Sequence, residues 1–450
     1  MVGESFLVLG YTSLMKTFYK LLGVALLVAT TNNFVWFALT YWVYLETKSV
    51  ISTSTIAGIW LVTTALSGFW LGSIVDHYKK KLAMLSSSIV TLLFFSGGLV
   101  MLKSLPTNGF SDVASPTLWL LVLVLLFGVI AGNIYQIAIP TLVALVVPDK
   151  MRDRANGMFG TVMGISFAIT SVASGFVLAY GGILTVLTAS VLFTLLAILI
   201  LAFIPIEEKK IIHTANNDKP ASQQKRIDIK GTIQAIKKVP GLFALIFFTT
   251  FNNFLGGVFM ALMDAYGLTL VSVQVWGLMW GFLSFGFIFG GLYISKYGLG
   301  TNPLKTLFRI NIILWIVCIF FTVQPSIVLL GVGMVIWMSL VPFVEATEQT
   351  IFQKVVPPER LGRVFGFAHS VEQAASPLTA FLIGPIAQFF FIPFMTTGRG
   401  VALVGSWFGT GPGRGMALVF ITAGIIGLLV TLIARRSQAF HLLSKHYLQK

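Results

Sequence analysis

Apolar residues fall along this chain in blocks of roughly 20 residues or more, and the short pieces between them hold most of the charge. A helix rises about 1.5 Å per residue, so roughly 20 residues cross about 30 Å of hydrocarbon. The pattern therefore predicts twelve membrane helices, at 19–45, 51–75, 82–104, 117–141, 157–180, 183–204, 241–265, 271–294, 306–324, 327–350, 364–392 and 415–434. Barrel strands do not fit segments this long and uniformly apolar, and a helix satisfies the backbone amides that lipid leaves without partners. The first block begins near Lys20 and contains Asn32, Asn33 and Trp36. It has no short hydrophobic core ending at a small-residue cleavage site, so it reads as a span and not as a cleaved leader.

The longest polar stretch, from Glu207 to Pro240, is too polar to be embedded and too short to fold alone. It divides the chain into an N-terminal bundle (1–205), a linker (206–240) and a C-terminal bundle (241–450). Within the linker, Ile229, Ile233 and Ile236 among lysines predict a short amphipathic helix at the membrane surface over 227–239. Three echoes relate the bundles. Thr31-Asn32-Asn33-Phe34 matches Phe251-Asn252-Asn253-Phe254, Gly58 and Gly72 match Gly277 and Gly291, and Val147-Pro148, Arg154 and Gly157 match Val356-Pro357, Arg363 and Gly366. Repeats in the same order with six spans each imply two six-helix bundles related by an axis normal to the membrane. The outer segment 394–415 departs from the repeat; its glycines and Pro412 argue against a regular helix and leave a reentrant or lipid-contacting loop, or disorder.

Composition agrees with the pattern: 56% of residues are hydrophobic and only 10% charged, against about a quarter charged in soluble domains. The formal charge of +15 would in another chain suggest nucleic acid, so its placement decides. With both termini cytoplasmic, inner segments hold 26 of the 30 Lys and Arg residues, leaving Lys48, Lys103, Arg399 and Arg414 outside. That asymmetry is the positive-inside rule, with basic loops beside anionic lipids of a plasma membrane, and it removes nucleic acid as a partner. The single cysteine, Cys318, excludes an intrachain disulfide or a multi-cysteine metal site.

Between the second and third spans the chain reads Gly72-Ser-Ile-Val-Asp76-His77-Tyr78-Lys79-Lys80-Lys81. This resembles motif A of the major facilitator superfamily, and with the repeat and central linker the resemblance covers nearly the whole chain. It implies an all-α membrane protein of twelve helices, alternating access, and a conformational gate built from Gly72, Asp76, Lys79, Lys80 and Lys81; plain topology signalling by the basic residues is the alternative. Asp76 would accept hydrogen bonds at a neighbouring helix terminus or pair with a basic group. The second-half equivalent, Gly291-Leu-Tyr-Ile-Ser295-Lys296, lacks the acid, so one half is expected to hold the closing contact more firmly. VVPPERLGRVFGF at 355–367 and VVPDKMRDRANGMFG at 146–160 resemble loops of the drug-efflux branch that includes macrolide-efflux-like proteins and siderophore exporters. The fourth span lacks the arginine and the fifth the Gly-Pro motif common in drug/proton antiporters, which leaves the familiar antiport arrangement without its usual residues.

Ionisable groups inside spans are functional candidates because their insertion is costly. Glu345 and Glu348 share a face of the tenth span, and Glu372 and His369 lie at similar depth in the eleventh. These four form a proton- or cation-coupling candidate, with pairing of Glu348 to Lys354 and of Glu372 to Arg363 or Arg360 as the structural alternative. Asn32, Asn33, Trp36, Asn133, Gln136, Asn252, Asn253 and Phe254 are the substrate-cavity candidates; helix bridging is the alternative for the amides. No phosphate-binding loop, zinc-hydrolase motif or catalytic constellation is present in the sequence, so no cofactor, metal or enzymatic activity is expected and the energy must come from a gradient. The reading is a monomeric, proton-coupled exporter of amphipathic or hydrophobic compounds from a bacterial inner membrane. Export or flipping of a lysolipid-like or siderophore-like molecule, and a non-transporting scaffold or sensor, stay open.

Overall fold

The computed structural model describes residues 2–47, 50–105, 107–110, 112–206 and 229–449, and the regular elements within them are helical. The first half comprises α1 (Val2–Thr47), α2 (Val50–His77), α3 (Lys80–Ser104), α4 (Pro116–Gly132), α5 (Ile134–Val146) and α6 (Arg152–Phe203). After the linker come α7 (Ile229–Lys238), α8 (Leu242–Gly267), α9 (Val273–Tyr297), α10 (Pro303–Phe320), α11 (Ile327–Val355) and α12 (Leu361–Ile386). A π-helical turn (Ala387–Phe391) leads to α13 (Ile392–Thr396), α14 (Arg399–Phe408), α15 (Pro412–Arg436) and α16 (Gln438–Gln449). Eleven helical stretches among the described residues are long and apolar enough to cross a membrane.

Length alone shows where the predicted spans join. α6 has 52 residues, a rise of nearly 80 Å at about 1.5 Å per residue, more than twice the hydrocarbon thickness. Gly182, at φ 68° and ψ 177°, interrupts it in a conformation that glycine adopts without steric cost. The predicted segments 157–180 and 183–204 meet there.

Three expectations need correction or refinement. The predicted span 117–141 lies within one crossing stretch, 116–146, but is not a uniform α-helix: it tightens at Asn133, whose N–H bonds to Ile130 only three residues back, while Gln136 N–H bonds to Asn133. The outer segment 394–415 is largely helical. Gly398 caps α14, Gly409 (φ 89°) ends it, and Gly411 (φ 103°) and Pro412 start α15, so these residues bracket helices instead of preventing them. α7 forms as expected, but its buried face is Gly231, Thr232 and Ile236, and Ile229 points outward because the helix lies against α12, where Arg360 donates to the Gly231 carbonyl at 2.8 Å. Linker residues 207–228 lie outside the described residues, as does Lys48.

Packing divides the molecule unevenly along its long axis. One apolar core, running from Phe18 and Ala83 through Leu142 and Phe159 to Phe352, Leu361 and Phe440, contains residues of both halves and lies at the end carrying the basic loops. Away from that end the core splits in two: Phe34 to Leu187 belong to the first half alone, and Leu255 to Ala423 to the second alone. Two bundles thus share one core at the basic-loop end and part at the other.

Two helix seams join the bundles, α2 against α12 and α6 against α9. Small residues set the spacing: a Cβ at Gly72 would overlap the backbone of Gly362 and Gly366, and one at Gly291 would overlap Thr161 and Gly157. The repeat explains the crosswise pairing. Gly72 and Gly291 are equivalent, as are Gly366 and Gly157, so each half presents one glycine helix and receives the other.

Candidate transport pathway and gate

A cavity of about 220 Å³ lies within the first half, lined by α1, α2, the α4–α5 break and α6. Five predicted cavity residues, Asn32, Asn33, Trp36, Asn133 and Gln136, line it, joined by Trp60, Tyr135 and Met163, which the sequence reading missed. The helix break belongs to this site. Asn32 packs so closely on Gly132 that a Cβ there would overlap its amide, and unwound backbone is tolerated at membrane depth where it lines a cavity. Trp36 and Trp60 lie 4.9 Å apart, and Asn33 donates to Ser166 at 3.2 Å. Among the described residues, Asn32 Oδ1 and Trp60 Nε1 are buried without a partner, which leaves one acceptor and one donor beside the cavity.

The second-half amides do not mirror this. Asn252 donates to the Phe248 carbonyl at 2.8 Å and accepts from Trp315 Nε1 at 3.0 Å, which makes it a bridge inside its own bundle. Asn253 is exposed, with its carbonyl accepting from Ser376, and Phe254 stacks on Phe251 at 6.2 Å. None of the three lines this first-half cavity. Equivalent positions diverge because Trp315 offers a donor within reach of Asn252.

The acids do assemble in part. Thr249 of α8 stands between Glu348 of α11 and Glu372 of α12, its hydroxyl 3.2 Å and 2.7 Å from their Oε1 atoms. One hydroxyl proton serves one carboxylate at a time, so two charged acids here would repel with only a single donor between them. Glu345, one turn from Glu348, is exposed although it lies mid-helix in a crossing segment, as expected of an acid facing a wet cleft. His369 is half-buried and joined to none of these acids by a hydrogen bond or ion pair among the described residues. Nor are the alternative ion pairs formed among them: Lys354 lies over the Tyr447 ring at 4.2 Å, Arg363 reaches Asp76 and His77, and Arg360 caps a carbonyl of α7. Thr249 escaped sequence reading because its hydroxyl also bonds back to its own helix, at Ile246, as threonines in membrane helices commonly do.

At the basic-loop end the gate candidates join the two halves. Asp76, 7% exposed, accepts from the backbone N–H groups of Gly362 and Arg363 at 2.6 and 2.8 Å, the first turn of α12, with the Arg363 guanidinium 3.7 Å away. Unpaired amides at a helix start and a carboxylate complete each other. His77 Nδ1 lies 2.7 Å from the Ser73 carbonyl and must donate to it, so Nε2 accepts from Arg363 at 2.9 Å. Lys80 is buried, Lys79 is exposed at the start of α3, and Lys81 caps the end of α6 by donating to the Ala202 and Ile204 carbonyls at 2.9 and 2.7 Å.

Further along the interface, Asn156 and Gln353 exchange hydrogen bonds at 2.9 and 3.0 Å across the two halves, both fully enclosed. Gln353 also donates to the Pro140 carbonyl at 2.8 Å and Asn156 to Thr350 at 2.9 Å. The second seam carries an acid after all, from the opposite side: Asp153 of α6 accepts the Leu299 N–H, just beyond α9, at 2.8 Å. With one amide on Asp153 against two amides and a guanidinium on Asp76, the first seam carries the larger set of contacts, and Ser295 itself takes no part in the second.

These features have counterparts elsewhere. The family model described as Major Facilitator Superfamily matches residues 21–380. Macrolide efflux protein A of Streptococcus pyogenes is 21% identical over 360 residues, covering 77% of this chain and 84% of that protein. The protein of that name from Enterococcus faecalis is 21% identical over 326 residues, 70% of this chain and 94% of its own. A bacterial homologue of the iron transporter ferroportin, solved in an outward-facing state, aligns with a TM-score of 0.65 at 12% identity over 94% of this chain and all of that one. The proton:xylose symporter XylE aligns at 0.63 and 12% identity, covering 93% and 96%; identities this low speak to the fold alone. With a family model matched over most of its length, the chain belongs to the major facilitator superfamily and is a many-span membrane transporter of small molecules, not an enzyme.

Proposed function

We propose that this protein is a proton-coupled exporter of amphipathic or hydrophobic organic compounds, monomeric, with twelve crossings once 149–203 is counted as two. Its bundles, 1–205 and 241–450, rock about a central cleft, joined by the 206–240 linker. The positive-inside rule puts the basic loops and both termini in the cytoplasm of a bacterial inner membrane, so a core shared at the basic-loop end corresponds to a state closed inside and parted outside. The carrying observation is the Glu348–Thr249–Glu372 cluster beside exposed Glu345, in a chain whose other half holds an aromatic, amide-lined cavity without acids. Apolar burial against Trp36, Trp60 and Phe167 binds broadly because it is undirected, while the acids exchange a proton for the substrate's passage. The macrolide-efflux relatives support an exported, amphipathic substrate.

Transport measured across a pH series tests this. At least one of Glu345→Gln, Glu348→Gln and Glu372→Gln loses the pH dependence of the wild type; unchanged profiles in all three would remove proton coupling at this cluster. A second reading, export of a lysolipid-like molecule, is favoured by α14, which exposes Leu403 and Trp407 (71% and 62%) beside the outer end of the cleft's second half. Flux of a lysolipid but of no cationic dye or macrolide would select it. Family membership speaks against the scaffold or sensor reading.

A further inference from the structure

The two seams are locked by opposite means. At the first, the acid ends α2 and the amides begin α12: Asp76 to Gly362 and Arg363. In the repeat, Arg363 corresponds to Arg154, so Gly362 corresponds to Asp153, while Asp76 corresponds to Ser295. At the second seam the acid therefore begins α6, and the amide, Leu299 N–H, follows α9. The contact has been inverted across the interface, with the carboxylate on the partner that elsewhere supplies the amides. Gly298 makes room for it: its φ is 74°, and a Cβ there would overlap the Asp153 carboxylate.

The C-terminal helix α16 closes around the same point. Phe440 anchors it to the second half, 5.8 Å from Phe248 and 4.8 Å from Phe308, and Asn302, three residues beyond Leu299, donates to Ser444 at 2.8 Å. Its far end packs against the apolar core that the two halves share. Tyr447, under the Lys354 ammonium at 4.2 Å, lies close enough to Asp149, Arg152 and Asp153 to feel their charges. Burial, then Asp153 and Asp149, pushes its phenol up to about 12 against the opposing pull of Arg152, so the hydroxyl stays protonated beside the carboxylates. Asp153 thus ties the first half to Leu299, Asn302 ties the same turn to Ser444 of α16, and Tyr447 seats that helix on the shared core.

We infer that Asp153 and Tyr447 are positioning residues for the transport cycle: an inverted second latch that, with Asp76, sets how much of the protein is closed at the basic-loop end. This rests on the alternating-access reading, since a latch matters only if the halves separate there. Neither residue meets the cavity or the acid cluster, so both act through the conformational equilibrium.

Distances between spin labels at Lys150→Cys and Lys305→Cys, exposed positions on either side of the seam, report that equilibrium in a Cys318→Ser background. Losing a charged hydrogen bond to a buried backbone amide shifts such a balance by about tenfold. Asp153→Asn should raise the ratio of long to short distances by about that factor, as should Asp76→Asn at the first seam. Tyr447→Ala, which leaves α6 and the 298–302 turn unaltered, should shift it the same way by a smaller factor. A distribution unchanged in Asp153→Asn and Tyr447→Ala while Asp76→Asn shifts it would overturn the second latch. If Asp76→Asn, pH and added substrate all leave the distances unmoved, the alternating-access reading itself falls, and the latch with it.

Discussion

Single residues join the two halves through partners that lie far away in the chain. Asn156 and Gln353, 197 positions apart, exchange amide hydrogen bonds in full enclosure, and removing one partner leaves the other's polar atoms buried at a cost of about 1–3 kcal/mol. Asn156→Leu and Gln353→Leu are each expected to destabilise the closed state by about that much, and the double variant by less than their sum, because the shared bonds are lost only once. The label-pair distances measured through this double-mutant cycle check it; strict additivity would mean the amides do not work as a unit. Legibility at this scale follows from local pattern. Asp76 could be read because a glycine four residues before it and lysines just after it mark its place, whereas Asn156, Gln353 and Thr249 look like ordinary polar residues of membrane helices until the fold brings their partners to them. Asn252 and Asn32 differ because the repeat reproduces their positions but not their neighbours: Trp315 donates to the Asn252 oxygen, while the Asn32 oxygen has no partner among the described residues.

Elements were legible wherever length and hydropathy decide. The boundaries 82–104 and 327–350 fall within α3 and α11, since uniform apolar runs have one economical conformation in lipid. Breaks were harder, because an interruption such as Asn133 costs little when a cavity and Ser87, donating to the Ala131 carbonyl at 2.7 Å, satisfy the loosened backbone. α14 was misjudged because glycine frequency does not reveal whether glycines sit inside a helix or at its ends. α16, amphipathic and C-terminal, invites a prediction of its own. Tyr447 titrates near 10.0 when free and is pushed up to about 12 here, so its neutral form is favoured in the docked helix. That contribution is complete below pH 10, and is lost as pH climbs through about 12. A spin label at Lys445→Cys should therefore keep the same mobility from about pH 5 to about pH 9 and loosen only above about pH 10; loosening near neutrality would show that another group holds α16.

For the whole molecule, charge asymmetry and the internal repeat make the topology readable, and the glycine seams show why the repeat matters: equivalent residues meet crosswise, Gly72 with Gly366 and Gly291 with Gly157. What sequence could not supply is the conformational state, which depends on where the shared core ends and the separate cores begin. The division sets an aromatic, amide-lined cavity in the first half apart from the Glu348–Thr249–Glu372 cluster in the second. As a member of the major facilitator superfamily the protein carries out secondary transport. Purified protein in liposomes, given a substrate panel of cationic dyes, macrolides and lysolipids, should move at least one compound against its concentration when a pH gradient is imposed, stop when a protonophore collapses that gradient, and slow when Glu348 and Glu372 are both changed to glutamine. Transport that proceeds at the same rate without the gradient, or with both acids replaced, would contradict the account.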